Sequence, residues 1–124
     1  MTDLDRSVAF YCDLLGAVMV RPPFPGTSPS FSGRMAILML GGTAMDLYEH
    51  AGNEGERFRP ARTGLDHLAL VAHSRHELEL WAGWIDAHRV PRSEMRDDPT
   101  GAVRLFDFVD PDGIQIEICF VHER

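Results

Sequence analysis

The stretch that decides the fold is DPDGIQIEI, Asp110 to Ile118. Asp-Pro-Asp-Gly is a turn signal, because proline presets its own φ and glycine tolerates a positive one. The residues after it alternate. Ile114, Ile116, Ile118 and Phe120 point one way, and Gln115, Glu117 and Cys119 the other. The isoleucine face suits packing under a helix. Glu117 stands in the middle of the opposite face. One face of an antiparallel sheet is often wet, and an acid there needs no role. The rest of the chain decides whether it has one.

Working outward, AVRLFDFV (102–109) enters the turn and GIQIEICF (113–120) leaves it, which predicts a strand pair. A further short strand is expected to begin at Val90. Upstream, LDHLALV (65–71) alternates, and Ser74 and Glu77 have capping-box spacing ahead of a helix whose apolar face is Leu78, Trp81 and Ile85. Trp81 and Trp84 read as core and helix cover. The second half is therefore strand, helix, strand, strand, strand.

The first half follows the same order without its first strand. Asp3 caps a helix with Leu4, Val8, Tyr11 and Leu15 on one face, and Gly16 ends it. Val18 to Val20 reads as a short strand, and PPFPGTSPSFSG (22–33) as a loop, with a lid over a pocket mouth as a further reading. RMAILML and AMDLYEH are strands joined at Gly41-Gly42. Residues 51–63 are polar, have no period and read as a linker, with Arg57, Arg59 and Arg62 solvated. Gly42 and Gly113 are 71 residues apart, and so are Asp46 and Glu117. Tyr11 pairs with Trp81, and Leu15 with Ile85, at 70. Agreement of turn glycine, in-strand acid and helix face points to an internal duplication. The fold class is α+β: tandem βαβββ units, 1–50 and 64–124, in a single domain, forming a curved, mostly antiparallel sheet around a pocket. The missing first strand places the counterpart of His67 about four residues before Met1.

Composition narrows the function classes. The chain has 124 residues, 44% hydrophobic and 25% charged, the profile of one soluble domain. Its formal net charge of −7 argues against nucleic acid or anionic membrane as the main partner and is compatible with a cationic ligand. Cys12 and Cys119 match no metal spacing, so a reduced, cytoplasmic setting is the default. There is no apolar run of membrane-spanning length and no signal-peptide pattern.

Alternation places His67 and Ala69 on one face of their strand, and Asp46 and Tyr48 on one face of theirs. If the sheet curves, these polar faces line a pocket with Glu117. A neutral imidazole and carboxylates are good ligands for a divalent ion, and such sites leave positions open for substrate. Tyr48, Gln115 and Cys119 are candidate pocket lining and substrate contacts. His50, His73, His76, His88 and His122 are assigned no chemistry.

TDLDRSVAFYCDLLG, GLDHLALV and FVDPDGIQIEI together resemble the vicinal oxygen chelate superfamily, the glyoxalase, bleomycin-resistance and extradiol-dioxygenase group. The likeness covers nearly the whole chain. It implies that His67 and Glu117 stand at metal-binding positions, with Glu117 the catalytic carboxylate. Asp46 falls where some members place a carboxylate ligand, and the usual first-strand histidine has no counterpart here. The implied function is an enzyme dependent on a divalent ion (Fe, Mn, Ni or Zn) and acting on a small oxygenated metabolite by isomerase, lyase or dioxygenase chemistry. Ring cleavage is disfavoured because those enzymes are longer chains. Fosfomycin-type transfer is disfavoured because the pocket strands show no basic cluster. The alternative is a metal-free protein that binds a small molecule or antibiotic, like the bleomycin-sequestering members. The resemblance also implies a homodimer. The gap before Asp3 raises the expectation that the protein begins upstream of Met1, with an absent strand that carries a histidine.

Overall fold

A computed structural model describes residues 1–122. The architecture is α+β, with two compact units of βαβββ-like order, Met1–Phe58 and Arg59–Arg124. Among the described residues there are seven strands, and no helix is long and apolar enough to cross a membrane.

Unit 1 opens with helix α1 (Leu4–Ala9), which continues as a π-helical turn, Phe10–Leu14. Asp3 caps it by accepting the Arg6 amide at 3.0 Å. The helix packs on a sheet of order β1-β2-β3: β1 (Val18–Ser28), β2 (Phe31–Leu40) and β3 (Thr43–His50). Leu4, Val8, Tyr11 and Leu15 are buried on the helix side, with Ala36, Leu38 and Leu47 on the sheet side. Leu40 pairs with Thr43, so Gly41-Gly42 is the two-residue hairpin loop expected of it.

The stretch from Pro22 to Gly33 is not a loop. It is most of a β1–β2 hairpin, with only Pro29 and Ser30 in the turn. The prolines within β1 are tolerated because, among the described residues, it is an edge strand paired only with β2. Val20, Pro22 and Pro23 fall within two register shifts, where no ladder bond is required of them. These prolines therefore shape an edge rather than end a strand, and the loop and lid readings are replaced.

Unit 2 has a sheet of order β4-β7-β6-β5: β4 (His67–Val71), β5 (Arg96–Asp97), β6 (Val103–Val109) and β7 (Gln115–Val121). Helix α2 (Arg75–Ala87) packs on β6 and β7. Leu78 and Ile85 are buried on the helix, and Phe106, Phe108, Ile116 and Ile118 on the sheet. Ser74 caps α2 by accepting the Glu77 amide at 3.0 Å, while Glu77 reaches back to the His73 amide at 2.7 Å. The strand expected at Val90 lies at Arg96–Asp97 instead. The Val90 amide donates to Ile85 O and the Arg89 amide to Asp86 O, which closes α2 in a Schellman motif. Val90 is spent on ending the helix. Arg89 takes the left-handed position, φ 56°, usually filled by glycine.

The Asp-Pro-Asp-Gly turn carries its own stabilisation. Asp110 is buried, and its Oδ1 accepts the amides of Asp112 at 2.9 Å and Ile114 at 2.8 Å. Gly113, at φ 87°, supplies the positive φ that completes the turn.

Candidate functional site

The free face of the unit 2 sheet, opposite α2, is set by register. β4 runs parallel to β7, with His67 beside Gln115 and Ala69 beside Glu117. On the other side of β7, Asp107 pairs with Glu117 and Leu105 with Cys119. His67, Gln115, Glu117 and Cys119 thus share one face, as alternation predicts, and Asp107 joins them.

The ring of His67 is held by its neighbour. Nδ1 lies 2.7 Å from Asp66 Oδ2. A carboxylate only accepts, so Nδ1 carries the proton and, in the neutral ring, Nε2 keeps its lone pair. The hydrogen bond to Asp66 raises the His67 pKa above its ordinary value, with smaller contributions from the Asp66, Glu117 and Asp107 charges. Glu117 is half-buried, and no basic side chain pairs with it among the described residues. Ala69 on one flank leaves it room. Asp107 on the other flank is engaged by Arg96 at 2.5 Å. Burial, then the Glu117 carboxylate, pushes the Cys119 thiol pKa up, which favours the neutral thiol on this face.

Unit 1 presents a different surface on the face away from its helix. Asp46 pairs with Ile37, which pairs with Arg21 across the sheet. Asp46 is exposed and Tyr48 half-buried. Beside Tyr48 is a cleft of about 530 Å³ lined chiefly by Phe24, Ser28, Phe31, Met35, Tyr48 and His50. Tyr48 and His50 lie nearly parallel, 28° apart in plane. Phe31 stands at 89° to both, with ring centroids at 4.8 and 4.9 Å. Gly26 permits this, because a Cβ there would stand 2.8 Å from Phe31 Cε1.

His67 and Glu117 suit a divalent ion in ligand type and in tautomer. A carboxylate on the remote nitrogen of a ligating histidine is a common orienting device. They fall short in number: among the described residues no three His, Cys, Asp or Glu side chains gather into an ion site. The pair offers two donors of suitable type. Reading the sequence alone missed Asp66, whose role depends on the bend of the chain entering β4, and Asp107, which lies on a neighbouring strand. The only signal for Asp66 was its adjacency to His67. It also passed over Phe31 and His50, because the first was placed in a loop and the second at a strand end.

The comparisons with known proteins agree with this architecture. A family model described as the Glyoxalase/Bleomycin resistance protein/Dioxygenase superfamily matches residues 1–118. The chain is 30% identical over 117 residues to YaeR of Escherichia coli (strain K12), covering 94% of this chain and 87% of that protein. Among solved structures it is similar to a glyoxylase/bleomycin resistance protein/dioxygenase domain from Frankia sp. EAN1pec, with TM-score 0.81 and 24% identity over 98% of this chain and 91% of that one. It is also similar to the fosfomycin resistance protein FosX from Listeria monocytogenes, with TM-score 0.71 and 19% identity over 98% and 87%. These structural likenesses concern the fold. The duplicated order of elements, the turn that sets Glu117 and the family match together show that the chain belongs to the glyoxalase/bleomycin resistance protein/dioxygenase superfamily.

Proposed function

We propose that the protein is a divalent-metal-dependent enzyme acting on a small oxygenated molecule, with His67 and Glu117 as two of the metal ligands. The observation that carries this reading is the Asp66–His67–Glu117 arrangement on the free face of unit 2. Asp66 fixes the proton on Nδ1 and leaves Nε2 its lone pair in the neutral ring, while Glu117 offers a half-buried carboxylate with no basic partner among the described residues. An ion held there supplies Lewis acidity and stabilises negative charge developing on substrate oxygens. Glu117 is catalytic in this sense, as the ligand that fixes where that charge is met. Gln115, beside His67 on the same face, is placed to donate a hydrogen bond to a bound oxygen. Cys119 closes the floor. Asp46 is a candidate carboxylate ligand by family resemblance, and a homodimer in the cytoplasm completes the reading.

The test is calorimetric titration of chelator-treated protein with Mn²⁺ and Ni²⁺. One ion per chain is expected, with affinity reduced at least about tenfold by Asp66→Asn and lost in His67→Ala and Glu117→Gln. If the protein takes up neither ion, or if the variants bind as the parent does, the metal reading fails. A metal-free binding protein is then the better account.

A further inference from the structure

The aromatic cleft of unit 1 lies on the sheet face that carries Asp46 and Tyr48, and none of its lining residues is one of the His67–Glu117 pair. Its size falls within the roughly 300–1,000 Å³ of small-molecule sites. Its geometry is that of a floor and a wall. Tyr48 and His50 lie side by side and Phe31 stands upright against both. A flat ring laid on the floor meets the wall edge-on, the arrangement aromatic quadrupoles prefer. The row Tyr48–Met35–Phe24 crosses the three strands, and the next row, His50–Gly33–Gly26, has no side chain on its two glycines. The depression is therefore built by the sequence rather than left by poor packing.

Charge selects the ligand further. Among the described residues no carboxylate lines the cleft. The Arg21 guanidinium lies over the Phe24 ring, 4.5 Å from its centroid, and forms no ion pair among the described residues. Arg21 is on the same sheet face as Phe24, one row from Tyr48. A stacked guanidinium keeps its edge donors free for a planar anion. Arg21 stands just outside the lining, stacked on its Phe24 wall, while Asp46 stands in Arg21's row but on β3, two strands away, so the charge beside the β1 edge of the cleft is cationic.

We infer that this cleft binds a planar aromatic carboxylate, with its ring against Tyr48, His50 and Phe31 and its anionic group on Arg21. The site requires no metal, so it stands or falls apart from the His67–Glu117 reading.

Three probes of similar size test it in chelator-containing buffer, by NMR and calorimetry: 2-naphthoate, the neutral 2-naphthylmethanol and the cation trimethylanilinium. Saturable naphthoate binding is expected, with ring-current shifts at Phe31 and Tyr48. Naphthylmethanol should bind about tenfold more weakly, and trimethylanilinium more weakly than naphthoate. Arg21→Gln, an exposed change, should weaken naphthoate about tenfold and leave naphthylmethanol unchanged. Gly26→Ala, which displaces the Phe31 ring, should weaken both. The inference is overturned if naphthoate fails to bind at millimolar concentration or trimethylanilinium binds more tightly. Equal naphthoate binding by Arg21→Gln, or probe binding that Gly26→Ala leaves untouched, also overturns it.

Discussion

In unit 1 the helix packs over Ala36, Leu38 and Leu47; in unit 2 it packs over Phe106, Phe108, Ile116 and Ile118. The two covered faces obey one rule, apolar residues at every second position. The two free faces obey none in common. Unit 1 displays Phe24, Met35, Tyr48 and His50, and unit 2 displays His67, Asp107, Gln115 and Glu117. The two units share the side that folding needs and differ on the side that it does not. The acids at matching positions show the divergence. Asp46 lies across from Ile37 and is exposed, whereas Glu117 lies between Ala69 and Asp107 and is half-buried. A shared topology therefore says little about chemistry, which resides in the side chains on the free face.

The covered faces should show the largest effects. Phe106→Ala should cost about 3–5 kcal/mol and Leu38→Ala about 2–5 kcal/mol in urea unfolding, because both leave cavities under a helix. A loss below about 1 kcal/mol at either site would mean that the faces are not equivalent cores. The turns come next. Asp110→Ala strips a buried acceptor from two backbone amides and should cost about 2 kcal/mol by the same measurement. An unchanged midpoint would show that the amides find other partners. The helix ends differ most gently. Gly16 closes the first helix at φ 71° and Arg89 takes the left-handed position after the second. Arg89→Gly should stabilise the protein by about 1 kcal/mol, visible as a higher melting temperature. A lower one would show that the arginine side chain contributes more than its backbone strain costs.

Much of the fold is legible in the sequence. Gly41-Gly42 and Asp110–Gly113 announce their turns, and period-two alternation alone puts His67, Gln115, Glu117 and Cys119 on one face, where strand pairing has them. The hairpin over Pro22–Gly33 is not legible. Proline density signals a loop unless the strand is known to be an edge, and edges are a property of the sheet rather than of the segment. Val90 misleads for a related reason, since an apolar residue after a helix serves equally as the start of a strand or as the residue that ends a Schellman cap. The helix at Phe10–Leu14 is π-wound, which the spacing of Leu4, Val8, Tyr11 and Leu15 does not reveal because it fits an ordinary helix. Among the candidate site residues, ligand types can be read directly. Their neighbours cannot, because Asp107 comes beside Glu117 only through strand pairing.

The proposed metal site requires that His67 offer a free Nε2 alongside the Glu117 carboxylate, with Asp66 holding Nδ1. The most direct measurement is nitrogen-detected NMR of the six histidine side chains, during titration with Zn²⁺ above the pH at which His67 loses its second proton. Neutral His67 should be the Nδ1–H tautomer. Zinc should shift its Nε2 resonance, and Glu117→Gln should abolish that response at the same zinc concentration. A His67 that holds its proton on Nε2, or that responds to zinc equally with and without the Glu117 carboxylate, would contradict it.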